Sequence, residues 1–158
     1  MKRPMTPRGH EMLRKELQRL KAGRAALAEA IAVARGHGDL SENADYDAAK
    51  NASGMNEARI RDLEGKLSEA EVIDPAKLKA PAKVVFGVSV TISDLDSSEE
   101  RTVSIYGAEE SDISKGWISY ETPLARALIG KAVGDTATVK LPAGSKDYEI
   151  TQIFVDYA

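Results

Sequence analysis

Ala34-Arg35-Gly36-His37-Gly38-Asp39-Leu40-Ser41-Glu42-Asn43-Ala44-Asp45-Tyr46-Asp47 is a polar, glycine-bearing stretch. Four acids, Asp39, Glu42, Asp45 and Asp47, crowd between Arg35 and Lys50 with no base among them. Upstream, Leu17, Leu20, Arg24, Leu27, Ile31 and Ala34 recur at spacings of roughly three and four, the seam period of a coiled coil. Downstream, Tyr46, Ala49, Ser53, Asn56, Ile60, Leu63, Leu67 and Ala70 keep the same alternation. Two such patterns joined by a short polar stretch predict an antiparallel helical hairpin turning at Asp39 and Leu40. Folding there sets Leu13 against Leu67, Leu17 against Leu63, Leu20 against Ile60 and Ile31 against Ala49. In mid-hairpin, Arg24 and Leu27 face Asn56 and Ser53, polar seam positions that fix register at some cost in stability.

Thr6-Pro7 supplies a capping hydroxyl and a proline at the first helical position, where no amide donor is needed. Gly36 and Gly38 end that helix, since glycine tolerates the left-handed backbone of a helix terminus. A helix from Thr6 to Arg35 would be on the order of 45 Å long. The second helix is expected from near Asp39 to about Val72, with Gly54 and Gly65 each costing about 1 kcal/mol relative to Ala.

Asp74-Pro75 stops the helix, and Pro75 to Lys83 reads as a linker. Beyond it the composition turns β-branched. Val84 to Ile92 predicts a strand in which Gly87 marks a bulge, and Arg101 to Tyr106 pairs with it across a polar turn at Asp94 to Glu100. Trp117 to Tyr120 predicts a short strand and Leu124 to Ile129 a short helix. Thr136 to Leu141 and Tyr148 to Tyr157 are the last strands, joined through Pro142-Ala143-Gly144-Ser145. The fold class is α+β with two domains: residues 1–75 a coiled-coil hairpin, 76–83 a linker, and 84–158 a small, mostly antiparallel sheet with one helix.

Cysteine is absent from the 158 residues, which excludes a disulfide framework and thiolate chemistry. No apolar run is long enough to span a bilayer, and Met1-Lys2-Arg3-Pro4-Met5 lacks a signal peptide's hydrophobic core, so a cytoplasmic protein with no membrane partner is expected. A formal net charge of −3 argues against broad electrostatic binding to duplex nucleic acid. Bases and acids balance as far as Asp74, and the excess of acid lies beyond it.

Asp39 and Glu42 are spaced to lie on one side of a helical turn. Paired carboxylates suit Mg²⁺, which takes one or two of them and completes its shell with water and phosphate oxygens. The same spacing is that of a capping box, and acids are favoured in a first helical turn whatever else they do. Capping needs one or two acids, however, and four crowd here. Arg35 and Lys50 flank them, either as solvated charges or as a small patch for a single-stranded backbone. His37 between two glycines reads as a turn residue or as a ligand or base, His10 has no informative context, and Trp117 reads as sheet packing. Thr122-Pro123-Leu124-Ala125, a loop entering a helix with apolar residues, is a candidate docking segment for a partner helix. No nucleophilic triad, phosphate-cradling glycine loop or His/Cys metal spacing is present, so a stand-alone enzyme is not expected.

Ala34-Arg35-x-x-Gly38-Asp39-Leu40-Ser41-Glu42-Asn43-Ala44-Asp45-Tyr46-x-x-Ala49-Lys50, followed by Arg59-Ile60-x-x-Leu63-Glu64-x-x-Leu67 and Val72-Ile73-Asp74, resembles the GreA/GreB family of bacterial transcript-cleavage factors. Val85-Phe86-Gly87, Thr122 to Lys131 and Val133-Gly134-Asp135 extend the resemblance over essentially the whole chain. It implies a coiled coil followed by a domain similar to FK506-binding proteins. It implies docking at the secondary channel of RNA polymerase, with the coiled coil inserted and its tip at the polymerase active site. By that resemblance Asp39 and Glu42 help hold a Mg²⁺ shared with the polymerase, stimulating its own cleavage of backtracked nascent RNA. Arg35 and Lys50 would meet the RNA 3′ segment. Arg24-Ala25 stands where the family usually has Arg-Pro, and Asn51 to Asn56 replaces a more charged run. With so few bases near Lys50, the resemblance is GreA-like rather than GreB-like. A non-cleaving channel regulator is the main alternative; such relatives depart from the two-acid tip. Prolyl isomerase activity in the second domain would need an aromatic-lined pocket.

Overall fold

The computed structural model describes residues 2–38, 43–79 and 81–157. The chain forms two compact units: Met1–Arg3 with His10–Ala70, and Pro4–Gly9 with Glu71–Ala158. The short segment Pro4–Gly9 counts with the C-terminal unit, as does everything from Glu71 onward.

In the first unit, α1 (Pro7–Ala22, its first residues counting with the other unit) and α2 (Arg24–Arg35) are followed by α3 (Ala44–Ser68). The expected single first helix is divided at Gly23, yet its hydrogen-bond ladder passes through: Gly23 N donates to Arg19 O and Leu27 N to Gly23 O, each at 3.1 Å. The base of the hairpin packs as its periodicity requires. Leu20, Ile60 and Leu63 form a buried cluster, with Leu13 and Leu17 against it. The middle departs from the expected seam. Arg24 is exposed and grips Glu57 through two bonds, of 2.7 and 2.9 Å, while Gly23 is half-buried. Asn56 reaches across to Leu20 O at 3.1 Å, a directional polar contact where leucine packing is thin. The Arg24 hydrogen bond holds the Glu57 carboxyl below the usual glutamate range.

α3 begins at Ala44 rather than near Asp39, and ends at Ser68 rather than Val72. Ala70–Val72 is instead a strand, β2, paired with β1 (Arg3–Met5) in a two-stranded sheet. Arg3 N donates to Glu69 O and Ile73 N to Met5 O, each at 2.7 Å.

The second unit holds a five-stranded sheet ordered β5-β4-β3-β7-β6. Its strands are β3 (Ser89–Asp94), β4 (Glu100–Tyr106), β5 (Trp117–Ser119), β6 (Thr136–Leu141) and β7 (Gly144–Phe154). All neighbouring pairs are antiparallel except β4 and β5. One face buries Val88, Val90, Ile92, Val103, Ile105, Val139 and Ile150 against α4 (Pro123–Leu128), which contributes Ala125 and Leu128. The first strand starts later than its β-branched run because Gly87, at φ +96°, makes a turn rather than a bulge; a Cβ there would lie 3.0 Å from Pro75 Cγ. The sheet's register shift falls between Thr91 and Ile92. The expected linker is structured: Asp74 caps a 3-10 turn over Pro75–Lys77, Pro75 is buried and Leu78 packs on the core. The last hairpin is tighter than expected, pairing Leu141 with Gly144.

Thr6 caps α1 as its sequence predicts, accepting from Gly9 N at 3.0 Å. Its hydroxyl also donates to Glu110, a carboxylate buried in the 3-10 turn Ala108–Glu110. Arg8 donates to the other oxygen of Glu110 at 2.7 Å and sets its guanidinium 4.4 Å from the ring centre of Trp117, 4.5 Å from Tyr157 and 5.4 Å from Tyr106. Trp117 is therefore a packing residue, as expected, with a cation on it.

Candidate functional site

Near the hairpin end, one of the described side chains hydrogen-bonds to both helices. Asn43 caps α3, its Oδ1 accepting from Tyr46 N at 3.0 Å, while its Nδ2 donates across to Ala34 O, in the last turn of α2. Ala34 itself is buried in the seam. Gly36 closes α2 with ordinary helical torsions, and Gly38 turns left-handed at φ +108°.

Tyr46 sits half-buried in the first turn of α3 with two cations at its ring. Arg35 Cζ lies 5.7 Å and Lys50 Nζ 5.4 Å from the ring centre, within the range where a cation is drawn to an aromatic face. The two bases expected to flank the tip are thus brought together on one aromatic side chain. Both are exposed. An aromatic with cations beside it is the elementary unit of single-strand binding: a base can stack, and a phosphate can be neutralised.

Asp39 and Glu42 lie outside the described residues. Their neighbours still bear on the two readings of the Asp39-x-x-Glu42 spacing. The N-cap of α3 is Asn43, so this helix does not draw its cap from Asp39. Asp45 and Asp47 occupy the first turn of α3, where the macrodipole favours acids, and Asp45 also faces His37 Nδ1 at 3.6 Å. His37 is an exposed turn residue. Capping and the dipole account for Asn43, Asp45 and Asp47 at the start of α3. Among the described residues no group of three or more His, Asp or Glu side chains is placed to hold a metal ion.

In the second unit, Thr122 caps α4 through Ala125 N at 3.3 Å and donates to Ser119 O at 2.8 Å. Pro123 is exposed and Leu124 half-buried, beside an apolar hollow of about 210 Å³ shared with Ile118, Val139, Leu141 and Tyr148. Ala125 is fully buried in the core, so of the four residues of the candidate docking segment it supports the surface rather than forming it. Tyr148 is the one aromatic lining that hollow; Phe86 packs edge-on to Tyr120, and Tyr106, Trp117 and Tyr157 surround Arg8.

Asn43 and Tyr46 were not singled out by sequence as site residues. Asn before Ala-Asp is a good N-cap signal, and Tyr46 lies four residues from Lys50, the spacing of a helical pair.

A family model for the N-terminal part of a transcription elongation factor matches residues 3–72, and one for the GreA/GreB C-terminal part matches residues 79–154. The chain is 52% identical over 151 residues to a transcription elongation factor GreA of Alkalilimnicola ehrlichii, spanning 95% of this chain and 96% of that one. To a protein of the same name from Ralstonia nicotianae it is 53% identical, with the same coverage. Among solved structures, GreA factor homolog 1 of Thermus thermophilus aligns at 24% identity and a TM-score of 0.45, covering 97% of this chain and 99% of that one.

Proposed function

Because the chain belongs to the GreA/GreB family of transcription elongation factors, we propose that it binds bacterial RNA polymerase and stimulates the polymerase's own cleavage of backtracked nascent RNA, rescuing arrested complexes. It is a cofactor of that reaction rather than an enzyme in its own right. The hairpin enters the secondary channel and carries its tip to the polymerase active site in the cytoplasm. No helix among the described residues is long and apolar enough to cross a membrane.

The observation that carries this reading is the basic cluster near the hairpin end: Arg35 and Lys50 meet on Tyr46 beside the Asn43 cap, next in sequence to the acids Asp39 and Glu42. Asp39 and Glu42 would hold a Mg²⁺ shared with the polymerase, which would polarise the attacked phosphodiester and steady charge on it. The basic pair orients the RNA 3′ segment by neutralising phosphate, and the ring between them offers a face for a base. Docking falls to Pro123 and Leu124, with Thr122 and Ala125 holding them in place.

The test is direct. The pure protein is incubated with a backtracked polymerase complex and Mg²⁺, and the RNA is sized. Shortened RNA above the level that polymerase gives alone supports the reading. Binding with no increase in cleavage would favour a channel-occluding regulator instead.

A further inference from the structure

We propose that Asn43 is a positioning residue for the basic cluster: its amide staples α2 to α3 and so seats Arg35 on the Tyr46 ring beside Lys50. The functional half of this inference rests on the polymerase-cofactor reading above. The structural half does not.

A cap needs only an acceptor. Ser, Asp and Asn cap about equally well, because each offers an oxygen to an amide of the first turn. Asn43 does this with Oδ1, toward Tyr46 N at 3.0 Å. Its Nδ2 is superfluous to capping, yet it makes a bond of 2.5 Å to Ala34 O on the other helix. The two bonds run in opposite senses, so they also fix which end of the amide is which. Ala34 O already takes His37 N at 3.2 Å, and a carbonyl in a last helical turn has a lone pair to spare.

The anchors of this staple are next to the cluster it serves. On one side is Ala34, the residue before Arg35; on the other is the backbone of Tyr46 itself. The two cation contacts therefore have different origins. Lys50 reaches Tyr46 from four residues along the same helix, a contact that α3 makes by itself. Arg35 reaches the ring from the other helix. Only that second contact depends on how α2 and α3 are joined; Asn43 hydrogen-bonds on both sides of it, where Asp45 facing His37 at 3.6 Å and, further along, Arg24 on Glu57 also link the two arms.

Asn43→Ser and Asn43→Asp separate the two jobs, since both keep a capping oxygen while the Asp carboxylate has no proton to donate to Ala34 O and the Ser hydroxyl ends one atom short of the position of Nδ2. In the full-length chain, NMR contacts from the Tyr46 ring to the Arg35 and Lys50 side chains are compared with thermal melting. The expected result is parental melting, a retained Lys50 contact and a lost Arg35 contact in both variants. With a backtracked polymerase complex, the maximal cleavage rate should fall about tenfold, while the concentration of factor giving half-maximal cleavage stays parental.

Persistence of the Arg35 contact in both variants overturns the staple. Loss of the contact with a parental cleavage rate overturns the role of the seated Arg35 in cleavage. If Ser lowers the melting point, the Asp variant decides, and equal loss of both cation contacts there would show Asn43 to be a cap alone. A parental protein that stimulates no cleavage would sink the cofactor reading, and the NMR contacts would still decide the staple.

Discussion

Arg8 donates its Nε–H to Glu110 at 2.7 Å, and the carboxylate that receives it is wholly shut off from water while the guanidinium is 29% exposed. Removing one member of such a pair costs more than the pair contributes, because the partner is left charged and buried. Arg8→Ala should therefore destabilise the C-terminal unit by about 3 kcal/mol, the low end for a pair with one member partly open. Arg8→Lys should recover only part of the loss. An ammonium keeps the charge but cannot lie flat among Trp117, Tyr157 and Tyr106. Urea unfolding followed by Trp117 fluorescence reads both; an Arg8→Lys midpoint equal to the parent's would refute the stacking part.

Asp94 gives the fold an acid-side signature. The backbone amide of Asp96, at 2.8 Å, with Ser97 N and Lys146 nearby, holds its carboxyl below the ordinary aspartate range. A folded value below the unfolded one means stability that is present above the unfolded pKa and lost as pH falls through the folded one. Asp94→Asn keeps the turn, since Asn makes the same side-chain-to-backbone bond, but removes the titration. Urea midpoints measured from neutral pH down into the acid range should fall less steeply for Asp94→Asn than for the parent. Parallel curves would show that Asp94 contributes nothing to the slope.

The hairpin was readable because its information is local and periodic: a seam that repeats every few residues announces itself within any window of the chain. Leu20, Ile60 and Leu63 pack as that period demands. Features held by distant partners left no such trace. Arg3–Met5 and Ala70–Val72 are strands because they pair with each other; Pro4 biases Arg3 away from helical torsions, but neither Arg3-Pro4-Met5 nor Ala70-Glu71-Val72 has the alternating β-branched run that announces a strand. Glu110 sits in the run Glu109-Glu110-Ser111-Asp112, which reads as surface; its burial depends on Thr6 and Arg8, more than a hundred residues away. At the tip the difficulty was excess rather than silence. Asp39, Ser41, Asn43 and Asp45 are all capable N-caps by residue type, and only the backbone selects Asn43.

For docking, Pro123 and Leu124 are the informative positions. Pro123 is exposed, whereas Leu124 is half-buried beside the apolar hollow and packs on the core, so Leu124→Glu charges the proposed contact at some cost in stability and any change at Ala125 would act through folding. The Kd for polymerase should rise at least about tenfold for either Glu variant, in the range of a buried anchor, with melting close to parental for Pro123→Glu. Unaltered binding by Leu124→Glu and by Pro123→Glu would move the docking surface elsewhere on the chain.

In the proposed function the chemistry of the tip rests on Asp39 and Glu42, and the cap at Asn43 sharpens its test. Had Asp39 capped the second helix, its substitution would be expected to cost about 0.5 to 2 kcal/mol of stability. With Asn43 in that place, Asp39→Asn and Glu42→Gln should melt like the parent and bind polymerase like the parent. If the two carboxylates hold a hard cation at the reacting phosphodiester, neutralising either one removes an interaction made in the transition state. Maximal cleavage of backtracked RNA should then drop by two or more orders of magnitude at full occupancy on the polymerase, on the scale roughly expected for a lost transition-state contact. Raising Mg²⁺ should restore part of the Glu42→Gln rate, because a weakened site can be refilled by mass action. A variant that melts and binds normally yet cleaves at the parental rate would remove its residue from the metal site, and parental cleavage by both would remove the site itself.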